Sequence, residues 1–157
     1  MRSVDRIAGL VLEHLYTTPF ANRSRVYTGE SVTLYECENQ YIAANNCVMA
    51  TRFLVSQVHN HRWLQPNESL HVAQLTFHDG SIHQAAALLS PDGGGVLDFT
   101  SRQFRIPSMP FLVDPITWRN TVAEYAHRLY GIQLSTVHLD GRQVILTEQS
   151  HQRKAAL

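Results

Sequence analysis

Residues 69–100 read SLHVAQLTFH, DG, SIHQAAALLS, PDGGG, VLDFT. Three runs rich in β-branched and apolar residues are separated by two turn signals. Asp79-Gly80 between the first two is a strong hairpin signal. Pro91-Asp92-Gly93-Gly94-Gly95 is an equally clear turn. The stretch therefore predicts strands over 69–78, 81–90 and 94–100, in an antiparallel meander.

Outward from this sheet the hydrophobic period changes. Upstream, CVMATRFLVSQVHNH carries Val48, Phe53, Leu54, Val55 and Val58, which predicts a largely buried helix with Asn45 or Asn46 as N-cap. VTLYECE (32–38) alternates and reads as a short strand, and TTPFANRSRVYTGES reads as a loop broken by Pro19 and Gly29. Val4, Ile7, Leu10, Val11 and Leu15 predict an amphipathic helix over 4–16 with Ser3 as its cap. Downstream, SRQFRIPSMPFLV has two prolines and little pattern. A helix over 116–130 opens at Asp114 or Pro115 and stops at Gly131. Asp140-Gly141 turns STVHL into RQVILTE as a final hairpin, and the tail HQRKAAL reads as frayed. The expected class is α+β, with helices segregated from an antiparallel sheet. Residues 1–157 are expected to form one domain: an N-terminal helix and loop (1–30), a core (40–100), and a helix with the last hairpin (101–150).

Bulk composition narrows the function. The 157 residues are 44% hydrophobic and 17% charged, which suits a packed core. Thirteen basic side chains balance thirteen acidic ones, so no net field draws the chain to nucleic acid or an anionic membrane. Arg2, Asp5, Arg6 and Glu13 interrupt the N-terminal helix, so it reads as neither a secretion signal nor a membrane span. The expected location is a reducing cytoplasm, or a target cell reached without a cleavable signal. Two cysteines make no disulfide framework.

Cys47 falls at the start of the buried helix, where free N–H groups and the helix dipole stabilise a thiolate. Such a thiolate needs a proton acceptor, and that acceptor needs an orienting partner. Folding the strands about 91–95 makes His83 and Asp98 near neighbours across the ladder. A free cysteine at a helix start is more often a small core residue. The His83–Asp98 pair is what favours Cys47 as nucleophile, His83 as base and Asp98 as orienting carboxylate.

The order Cys47 on a helix N-terminus, His83 in HQAAALL, then Asp98 in VLDFT resembles the papain-like and transglutaminase-like cysteine enzymes over residues 40–100. The resemblance implies a papain-like core with the nucleophile helix packed on an antiparallel sheet. It also implies an oxyanion-hole residue, for which Gln40, Asn45 and Asn46 are candidates. The neighbours Gly-x-Cys and Trp, common around such cysteines, are absent. The nearest functional likeness is to small glutamine deamidases, including bacterial effector and toxin domains. It implies a thiol hydrolase or acyltransferase acting on a protein or peptide carboxamide without cofactor or metal. Cysteine peptidase and transglutaminase are the alternatives, and a non-enzymatic binding module on a degenerate papain-like fold is the rival class.

Other patterns are weaker. His59-Asn60-His61 spells a nuclease motif but falls at a helix end, where the dipole favours histidines. No Cys-x-x-Cys or His-x-x-x-His spacing suits zinc, which leaves only His71, His78 and His83 to converge on one sheet. Trp63 and Trp118 read as packing or rim residues, and Gly93-Gly94-Gly95 lacks phosphate-loop spacing.

Overall fold

The computed structural model describes residues 1–24, 27–108 and 110–146. Its centre is a six-stranded antiparallel sheet in the order β6-β5-β4-β3-β7-β8. The strands are β3 (Ser69–Phe77), β4 (Ile82–Leu89), β5 (Gly95–Asp98), β6 (Phe111–Val113), β7 (Leu134–Leu139) and β8 (Arg142–Val144). The helices are α1 (Ser3–His14), α2 (Gln40–Ala43), α3 (Cys47–Asn60) and α4 (Pro115–Tyr130), and a small pair joins β1 (Phe20–Ala21) to β2 (Ser31–Val32). The mixed composition and antiparallel sheet are those of an α+β fold.

Turn chemistry sets the meander. Asp79 Oδ1 accepts from both the backbone N–H and the hydroxyl of Ser81, which closes the β3–β4 hairpin. Between β4 and β5, Gly94 has φ +63°, and a Cβ there would lie 1.9 Å from the Leu88 carbonyl oxygen, so only glycine fits. Asp92 in the same turn accepts from the Ser3 N–H at 2.6 Å and the Ser3 hydroxyl at 2.7 Å. Ser3 is thus the first residue of α1, and the carboxylate that satisfies its N–H comes from a distant turn; the expected self-cap does not form.

Both faces of the sheet are covered. Ala86, Leu88 and Leu97 pack with Val4, Ile7 and Val11 of α1 and Ala50, Leu54 and Val58 of α3. Ala85, Ala87 and Val96 pack on the other face with Trp118, Val122 and Ala126 of α4. Helices therefore cover both faces of the antiparallel sheet. A strand whose two faces are both buried reads as the continuous apolar run AAALL. Helix α4 begins where the Asp114 carboxylate accepts from the Thr117 N–H, a cap worth about 1 kcal/mol. It ends at Gly131 in the left-handed region.

Local structure departs from the sequence reading in two segments. Of the expected strand over 32–38 only Val32 falls in a strand, β2, and Glu36–Glu38 forms a 3-10 turn. Thr33 and Glu36 bond reciprocally through side chain and backbone N–H, a capping box that overrides the alternation. The patternless segment after β5 holds a second 3-10 turn, Ser101–Phe104, and strand β6. Asn46 occupies the N-cap position of α3 without a side-chain cap bond. The tail 151–157 lies outside the described residues.

Candidate active site

The β4–β5 register pairs Ala86 with Leu97. Alternation then puts His83 and Asp98 on the face that carries Ala85, Ala87 and Val96, one diagonal step apart. His83 Nε2 lies 2.6 Å from Asp98 Oδ2, and both side chains are 0% exposed. The carboxylate is fully engaged: Oδ2 also accepts from Trp118 Nε1–H at 2.8 Å, and Oδ1 from the Thr100 N–H at 3.0 Å. Burying a carboxylate is tolerable only with such partners. Phe104 meets the His83 ring edge-on at 4.9 Å between centroids.

Cys47 arrives from the opposite face. It opens α3, and its sulfur reaches the start of β4, 3.9 Å from the Ile82 carbonyl oxygen. It is 5% exposed, and the His83 imidazole and the Gln84 N–H are near enough to act on its thiol. Burial pushes the thiol up, but the His83 hydrogen bond and charge and the Gln84 N–H outweigh it, so its pKa is lowered. Burial likewise pushes His83 down, and the Asp98 charge and hydrogen bond, with the Cys47 sulfur, raise it to about 10. Together these favour a thiolate–imidazolium pair. The N–H groups of the first α3 turn have no intrahelical partner and surround the same sulfur end of the helix.

The sulfur opens on a cleft of about 390 Å³, lined among others by Asn45, Phe77, Ile82, Gln103, Phe104 and Tyr130. Of the three oxyanion candidates, only Asn45 lines it, held in the left-handed region at φ +69°. Gln40 Oε1 instead accepts from Arg105 Nε at 3.2 Å. Asn46 is fully buried: its Oδ1 accepts from the Arg23 N–H at 2.7 Å, and its Nδ2 donates to the Ile42 carbonyl at 2.7 Å. It fastens the loop before β2.

Two neighbours of the site had no recognisable sequence signal. Gln103, in the turn Ser101–Phe104, brings Nε2 to 2.5 Å from His83 Nδ1. The turn follows from no periodicity; the short step from Asp98 was its only hint. Trp118 read as packing, and it is 1% exposed, but its indole N–H on Asp98 adds a polar duty.

The other titratable groups are engaged elsewhere. Cys37 is a free, fully buried thiol pushed up to about 12 by burial, the Glu36 charge and Cys47. Ser69 Oγ, His71 and Asp140 line up at 2.7 and 2.6 Å, a second serine–histidine–carboxylate chain. Asp140 is 52% exposed and also accepts from the Val72 N–H, so this chain ties β3 to the β7–β8 turn in contact with water. His61 stacks on Trp63 at 4.8 Å. Among the described residues, no three His, Cys, Asp or Glu side chains are grouped to hold a metal ion, and no helix is long and apolar enough to cross a membrane.

Fold and site together define an α+β protein with a buried cysteine–histidine–aspartate cluster at a helix N-terminus. No protein-family model, no curated protein and no solved structure matches the chain.

Proposed function

We propose that this chain is a thiol amidohydrolase with a papain-like core, and in particular a protein-glutamine deamidase. The observation that carries the reading is the buried His83–Asp98 hydrogen bond beside Cys47 at the start of α3, with Cys47 lining a cleft. Cys47 Sγ attacks the carboxamide carbon, and the negative charge passes to its oxygen. N–H groups of the first α3 turn and the Asn45 side chain are the donors available to that oxygen. His83 Nδ1 gives its proton to the departing nitrogen, ammonia leaves, and a thioester remains. A water then adds to the thioester while His83 takes its proton. The carboxylic acid departs and the Cys47–His83 pair is restored. Asp98 keeps Nε2–H in place throughout and stabilises the charged ring.

The compact cleft favours a side-chain amide over an extended peptide backbone. A protein or peptide bearing glutamine is the proposed partner, encountered in the cytoplasm or in a cell into which the chain is delivered. The test is ammonia release from an N-blocked glutaminyl-glycine and from a glutamine-containing protein. Wild type should release it and Cys47→Ala should not; equal release by the two would end the proposal.

A further inference from the structure

We propose that the Gln103 carboxamide occupies the subsite for the substrate's own primary carboxamide, and that substrate binding displaces it. This rests on the thiol-hydrolase reading of Cys47 and His83, and narrows the substrate to primary amides.

The argument starts from the two nitrogens of one ring. His83 Nε2 is committed to Asp98, so Nδ1 alone can exchange a proton with Cys47. Gln103 Nε2 sits on that same Nδ1 at 2.5 Å, in the cleft that Cys47 lines. An N–H pointed at Nδ1 fills the lone pair that would receive the thiol proton. When the ring is charged, the carboxamide must turn and present its oxygen instead. In either orientation Cys47 and Gln103 share one ring nitrogen. An amide nitrogen at Nδ1 also stands where a departing ammonia would collect its proton.

The shape of the site restricts what can replace Gln103. Gln103 Nε2 abuts a fully buried imidazole that Phe104 meets edge-on. A primary carboxamide matches the group already seated there, while an N-alkyl amide carries its substituent on the nitrogen that faces the ring. Gln103 is 9% exposed on a short turn held by the Tyr130 hydroxyl, which donates to the Gln103 carbonyl at 2.7 Å. The side chain can therefore swing out while its backbone stays in place.

The experiment compares wild type with Gln103→Ala and Gln103→Met, the second preserving side-chain length. Cys47 alkylation by iodoacetamide near neutral pH is followed by peptide mass, alone and with N-blocked glutamine amide or its N-methyl counterpart as protectant. Both variants should label about tenfold faster, the size of one net hydrogen bond, and only the primary amide should protect. Labelling no faster than wild type, or equal protection by the N-methyl amide, would overturn the occupancy. Rapid wild-type labelling beside that result leaves the thiol-enzyme reading standing. A Cys47 that stays unlabelled in all three proteins overturns both.

Discussion

Cys37 and Cys47 are both free and buried, yet their thiols move in opposite directions. Cys37 sits in a three-residue turn beside Glu36 and is pushed up to about 12. Cys47 opens a fourteen-residue helix beside the His83 imidazole, and its pKa is lowered. Burial acts on both in the same sense. The difference comes from what replaces water: a carboxylate in one case, and an imidazolium with a backbone N–H in the other. Sequestering a thiol makes it inert unless the surroundings supply positive charge.

The largest test of this contrast is removal of the pair itself. Cys47→Ala and His83→Ala should each lower ammonia release on the order of a thousandfold or more, with an unchanged circular dichroism spectrum. Next comes Asp98. Asp98→Ala strands the Trp118 and Thr100 donors and the His83 ring, and should cost roughly 3–5 kcal/mol in denaturant unfolding as well as most activity. Asp98→Asn keeps an acceptor for the ring and should retain partial activity, with the Cys47 alkylation profile displaced to higher pH. Profiles identical to wild type in both variants would detach Asp98 from the ion pair.

The pH dependence has a defined sign. His83 rises from 6.5 to about 10, so the stability held by its charged form is complete below the unfolded value near 6.5 and is lost as pH climbs through 10. Wild type should lose more stability than His83→Gln over that interval, measured as urea midpoints. Over the same range Cys47 should alkylate readily, while Cys37 stays protonated until about pH 12. The smallest effect on activity belongs to Cys37→Ser, which should stay within about twofold of wild type. It should cost roughly 1–3 kcal/mol in thermal unfolding, for a hydroxyl buried where a thiol was. Loss of ammonia release in this variant would reverse the roles assigned to the two cysteines.

How much of this was legible in the sequence depended on the range of the signal. Asp79-Gly80, the glycine turn and Gly131 act locally, and each marks an element boundary within a few residues. The His83–Asp98 neighbourhood follows from hairpin register, another short-range property. Thr33–Glu36 misled because alternation and a capping box coexist in one heptapeptide, and the hydrogen bonds prevail over the pattern. The cover of α4 on the second face was visible only as the unbroken AAALL, which a solitary buried strand also explains. Gln103 left almost no trace, because its place at His83 depends on a turn closed from outside by Tyr130.

Trp118 gives the site an optical voice. Its indole donates to the same carboxylate oxygen that holds His83, and the two rings lie 6.1 Å apart between centroids. Imidazolium rings accept excited-state electrons from indole, so emission from Trp118 should be dim while His83 is charged and brighten as the proton leaves. With Trp63→Phe removing the other tryptophan in the chain, fluorescence against pH becomes a label-free record of the buried proton.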